Sequence, residues 1–271
     1  MRRALLIRLK SCIFSIEMLF SIIVGLVFLM WFFTMSTISY IRNFGALSLT
    51  DAGGNYLHNI YFMHAQGGFD LFAPILAALP ASAIFCDEYS SGFLRCVLIR
   101  ENRNRYIRDT WLCSTITGGI AVTFPILISS MFFVFIGTPN TPESVLPGSS
   151  TFLDQSILSR VQFIWGGGFV VVLLVILAFL FGATWSNMGL CVSTVVPNRY
   201  VALAAPFAIY FAAHILCFRV ERFMAFSPVN VLMPVGSFLP NIVFPFAYQF
   251  TLLLASAVLF WQGAIRRVRD V

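Results

Sequence analysis

Nine ionisable side chains crowd into residues 87–110, DEYSSGFLRCVLIRENRNRYIRDT: Asp87, Glu88, Arg95, Arg100, Glu101, Arg103, Arg105, Arg108 and Asp109. They comprise five of the seventeen basic residues and four of the eleven acidic ones. Two readings follow: a plain membrane-surface anchor, or a docking surface. An anchor needs only net positive charge near headgroups, whereas interspersed carboxylates dilute that attraction and favour specific pairing with a partner. An apolar patch of Phe93, Leu94, Val97, Leu98 and Ile99 lies between the charges. Both features favour docking.

Other candidates stand alone. Glu17 and Asp70 sit at opposite ends of apolar runs, and His214 lies inside one. An ionisable group at membrane depth is a functional candidate by default. Glu17 is near enough to an interface to snorkel or to pair with a basic group. A neutral His214 bonded to a neighbouring helix accounts for that residue equally well. His58 and His64 fall in a polar segment and are expected to be solvated.

Enzyme signatures are scarce. Lys10 is the only lysine, and no GxxxxGK[ST] phosphate loop occurs, so the chain cannot hydrolyse ATP by that mechanism. HExxH and GxSxG are also missing. Cys12, Cys86, Cys96, Cys113, Cys191 and Cys217 form no CxxC or Cys/His cluster, which indicates neither a disulfide framework nor a structural metal site. The expectation is a non-catalytic chain without a cofactor of its own.

The elements that must position these residues are membrane helices. The chain is 59% hydrophobic and 10% charged, with mean hydropathy +0.88; soluble domains are about 25% charged. Charge-free runs cover 18–41, 110–142, 161–198, 200–218 and 223–265, and 53–86 is broken only by Asp70. A crossing takes about 20 residues. The reading is an all-α polytopic membrane protein, a single membrane domain over 1–271. Its six spans are expected at about 14–37, 67–87, 112–137, 162–188, 199–218 and 241–263. The run 161–198 exceeds one crossing, but a second there would send the C-terminus to the other side, against the charge pattern.

That pattern is asymmetric. Thirteen basic residues, including Arg2, Arg3, Arg8, Lys10, the five island arginines, Arg199, Arg266, Arg267 and Arg269, fall on one side of the six-span arrangement. Four, Arg42, Arg160, Arg219 and Arg222, fall on the other. The positive-inside rule places both termini and the island in the cytoplasm. The net charge of +6 then reflects anchors facing anionic lipid and not nucleic-acid binding. The basic start resembles a signal peptide, but its long apolar run and the lack of a clear cleavage site predict a retained first span. Residues 2–12 interleave basic and apolar positions, as an interfacial helix does. Pro228, Pro234, Pro240 and Pro245 predict short broken helices in the outer leaflet before the last span. The glycines at 118, 119, 166–168 and 182 predict close helix packing.

Within the island, Glu88, then Gly92, then Arg95, Leu98 and Arg100, then an Arg/Asn-rich turn lead to Tyr106-Ile107 and the third span. This order resembles the segment between the second and third spans of type-2 ABC exporter permeases. The Asp87-Glu88-Tyr89 start is similar to that of bacteriocin- and lantibiotic-immunity permeases. The resemblance extends more weakly over the whole chain, which differs in using Arg almost everywhere that relatives mix Arg with Lys. It implies a half-transporter of the bacterial cytoplasmic membrane, paired with a second copy and seated on two ATPase subunits that bind ATP and Mg. The implied coupling helix comprises Asp87, Glu88, Gly92, Phe93, Arg95, Leu98, Arg100, Arg103 and Arg105. The implied cargo is amphiphilic, peptide-like or drug-like. An ion-coupled secondary transporter and a non-transporting sensor or immunity protein are the alternatives.

Overall fold

The computed structural model describes residues 2–44, 68–136, 167–232, 234, 239 and 241–269. These residues form helices and turns, with no strand among them. The helices are α1 (Arg2–Ile13), α2 (Ile16–Phe44), α3 (Phe69–Ala78), α4 (Ile84–Ser90), α5 (Phe93–Arg100) and α6 (Arg103–Ile136). They continue as α7 (Gly167–Val195), α8 (Arg199–Arg219), a 3-10 helix (Glu221–Phe226), α9 (Pro228–Leu232) and α10 (Val243–Arg269). Among the described residues α6, α7, α8 and α10 are long and apolar enough to cross a membrane. The pair α1–α2, bent by 47°, makes a fifth if counted as one span.

Several expected boundaries move. The stretch 67–87 is not one helix: α3 has ten residues, about 15 Å of rise and so too short to cross alone. Pro80, which cannot donate to a helical ladder, lies in the turn that separates α3 from α4. The helix of the third expected span, α6, starts at Arg103 instead of 112, taking the basic turn into its first turns. The last runs past 263 to Arg269. A single helix, α7, occupies 167–195. At the front of the chain Ser15 Oγ accepts from Met18 N at 3.1 Å, capping α2 just after the bend. Of the proline-rich segment 227–245, α9 and the start of α10 are described as helix, and α9 has five residues. His58, His64 and most of the segments 38–66 and 138–160 lie outside the described residues.

The bundle is organised around α7, which packs against α6, α10, α8 and α3. Its crossing with α6 brings backbone against backbone. A Cβ at Gly118 would stand 2.2 Å from Ser186 Cβ, and one at Gly182 would stand 2.3 Å from the Gly118 carbonyl oxygen. Where lipid is the solvent, close packing and interhelical hydrogen bonds hold helices together. Ser114 and Ser186 supply such a bond at 2.9 Å, and Asn187 Nδ2 donates to Thr115 Oγ1 at 2.8 Å. Gly168, by contrast, has none of the described residues within 4 Å of where its Cβ would be.

Two apolar cores result. One gathers Phe69, Phe181, Trp185 and Tyr210 with residues of α2, α6 and α9. The other joins Phe85 of α4, Leu94 of α5, Tyr106 and Ile107 of α6, Leu190 of α7 and Phe260 of α10. The charged island is built on this second core.

Candidate functional site

Local chemistry makes α5 a separate helix. Ser91 Oγ donates to the Asp87 carbonyl at 2.7 Å and closes α4. Gly92 then adopts φ +72°, a left-handed conformation that costs most L side chains about 1–2 kcal/mol. Nothing lies within 4 Å of where its Cβ would be, so the position needs glycine for conformation and not for space. Glu101 ends α5 in extended backbone, and Asn102 Oδ1 caps the start of α6 by accepting from Asn104 N at 3.1 Å.

α5 has an anchoring side and a free side. Leu94 is fully buried, and Val97 and Leu98 pack partly buried against the second core. Phe93 is 55% exposed and Ile99 86% exposed. Arg95 is exposed and has no ion-pair partner among the described residues. Leu98 is therefore an anchor of this helix, not part of its outer face. The Arg100 side chain lies outside what the structure describes.

Some of the remaining island charges turn toward the bundle. Glu88 Oε1 stands 3.3 Å from Arg8 Nη2, and Tyr106 donates its hydroxyl hydrogen to Glu88 Oε2 at 2.5 Å. Arg8 Nη1 donates to Thr110 Oγ1 at 2.9 Å, and the guanidinium carbon lies 4.7 Å from the centre of the Tyr106 ring. The Arg8 and Glu88 side chains are only 19% and 17% exposed. A hydrogen bond to a charged group contributes about 1.5–3 kcal/mol in such surroundings. Asp87 stays exposed and sits 3.9 Å from Arg199 Nη1, whose Nη2 bonds Glu17 Oε1 at 3.1 Å. Glu17 is thus tied to α8, as the pairing reading expects. Arg103 donates to the Ile265 carbonyl of α10, and Arg105 is half-exposed.

Three residues outside the candidate set complete this end of the bundle. Arg267 donates to the Thr194 and Val195 carbonyls at 2.9 and 2.6 Å, satisfying the last carbonyls of α7, and lies over the Tyr89 ring. Arg8 and Tyr106 enclose Glu88. Sequence reading treats both arginines as surface anchors, because nothing local to them reveals a partner so distant in the chain. The intramembrane candidate His214 has its Nδ1 2.8 Å from Ser227 Oγ, which joins α8 to the start of α9. That contact matches the structural reading of this histidine.

The arrangement is a charged end in which one partly buried ion pair, half-exposed pairs at Arg199 and side-chain hydrogen bonds tie helices together, while one short helix keeps a mixed apolar and cationic face open. Among the described residues no group of His, Cys, Asp and Glu is placed to hold a metal ion. No family model, curated protein or solved structure matches this chain.

Proposed function

We propose that this chain is the membrane subunit of an ATP-driven exporter of the type-2 ABC permease kind, moving an amphiphilic, peptide-like or drug-like cargo. In this reading α3 and α4 together make a broken second crossing, giving six spans with both termini in the cytoplasm of a bacterial cell. α1 lies along the inner surface. α5 is the coupling helix, docked on one of two ATPase subunits that carry ATP and Mg, and a second copy of the chain completes the pathway.

The observation that carries the reading is the divided face of α5. Leu94 and Leu98 seat it in the bundle, while Phe93, Arg95 and Ile99 project from the most charged end of the molecule. An apolar pair rimmed by cationic charge suits a protein groove better than either water or lipid tails. The test is co-purification of the chain with the proteins encoded beside it. An ABC ATPase should be retained in mild detergent, with hydrolysis that depends on the membrane subunit. A chain that transports without any associated ATPase would refute the proposal.

A second reading rests on Asp70. It is 5% exposed on α3, and its Oδ1 has no hydrogen-bond partner among the described residues. Buried carboxylates of this kind couple ion movement in secondary transporters. Transport in proteoliposomes driven by an ion gradient alone, and lost in Asp70→Asn, would favour this alternative.

A further inference from the structure

Cys12 on α1 and Cys113 on α6 are 101 positions apart in the chain, yet their sulfur atoms stand 3.5 Å apart, with the Cys113 thiol donating to Cys12. Their accessibility differs: Cys12 is half-buried, whereas Cys113 is 1% exposed. An oxidant can thus reach one sulfur directly and the other only through its neighbour. Arg8 precedes Cys12 by one helical turn on the same face of α1; the Cys113 hydrogen bond and this positive charge favour the Cys12 thiolate, while burial and the Glu88 and Glu17 charges oppose it. A disulfide needs the sulfurs about 1.5 Å closer. α1 joins α2 through a 47° bend, so a small shift of that one helix supplies the approach.

We propose that Cys12 and Cys113 are a reversible redox pair that hydroperoxides convert to a disulfide, locking α1 onto α6. The Cys12 thiolate attacks one peroxide oxygen. The O–O bond breaks, hydroxide leaves, and Cys12 becomes a sulfenic acid. The Cys113 sulfur then attacks the Cys12 sulfur. The S–S bond forms as the S–O bond breaks, and the hydroxyl leaves as water with the Cys113 proton. The two thiols lose two electrons, which hydrogen peroxide accepts in becoming two waters. A dithiol reverses the step by exchange.

The position of the pair gives the lock its effect. Arg8 ties α1 to Glu88 of α4 and Thr110 of α6 through bonds that can break and re-form. The disulfide would replace that adjustable contact with a covalent one beside the segment that carries α5. This inference holds whatever the chain transports.

The test uses the full-length chain in detergent with Cys96→Ser, since Cys96 is exposed and open to cross-linking between copies. Five cysteines remain of the six, and they are counted by mass-tagged maleimide after denaturation. Hydrogen peroxide should lower the count from five to three, and dithiothreitol should restore it. Mass spectrometry should find the peptides of Cys12 and Cys113 joined. Adding Cys12→Ala should leave four tags with or without peroxide. If a variant does not fold, peptide mapping of the unmutated chain should find the same joined pair. Five tags persisting after peroxide, or a lost pair mapping to other cysteines, would overturn the proposal.

Discussion

Glu88 and Arg8 are eighty positions apart and meet at 3.3 Å, inside a contact that also takes in Tyr106 and Thr110. The most conspicuous acid of the charged island is thus turned away from any partner. It fastens the N-terminal helix to the rest of the bundle, and the outward part of the island is smaller than its charge count suggests.

Removing one member of this contact should destabilise the fold. Arg8→Gln or Glu88→Gln leaves a partly buried charge without its partner, at a cost of about 2 kcal/mol. The double variant should lose less than the sum of the two, because each single change strands the other group. Thermal unfolding in detergent measures both. Additive losses would show that the pair does not act as one unit.

Arg199 should behave differently. Its bonds to Glu17 and Asp87 are roughly half-exposed, so Arg199→Ala should cost under about 1 kcal/mol and matter less at high salt. A loss as large as that of Arg8→Gln would mean that solvent does not screen this site.

Arg95→Glu and Ile99→Asp change only the open face of α5. We expect unfolding temperatures close to that of the parent chain, together with at least tenfold weaker association with an ATPase subunit and a matching loss of transport. Leu94→Asp is the opposite case. It places a charge in the second core and should unfold this end of the bundle. If Arg95→Glu and Ile99→Asp leave association intact, α5 is not the docking element.

Glycine positions separate packing from backbone need. Gly118→Leu should destabilise by about 3 kcal/mol, since its side chain meets Ser186 and the α7 backbone. Gly168→Ala, with none of the described residues nearby, should be tolerated within about 1 kcal/mol. Gly92→Ala should cost about 1–2 kcal/mol from its φ of +72° and tilt α5 without creating any clash. Unfolding midpoints should place Gly118→Leu lowest, Gly92→Ala next and Gly168→Ala nearest the parent chain.

His214→Ala and Ser227→Ala should each cost about 1 kcal/mol and be non-additive, because both remove one hydrogen bond. A far larger functional loss with His214→Ala alone would give this histidine a role beyond joining α8 to α9.

The helical class, the apolar stretches and the one place where charge concentrates were legible in the chain itself. These are properties of each residue against its solvent, and their cost is readable one position at a time. The short helix between Gly92 and Glu101 was not legible from local signals: the resemblance implies a coupling helix over residues 87–105, a stretch that the fold divides among α4, α5 and α6. Which charges remain available was settled by packing. Glu88 and Leu98 belong to the same short stretch as Arg95 and Ile99, yet they face inward. Their direction depends on Arg8, Tyr106 and the second core, contacts made across long chain separations. The meeting of Cys12 with Cys113 and the close crossing of Gly118 with Gly182 belong to the same class. Each depends on the register of one helix against another, and no single segment encodes it.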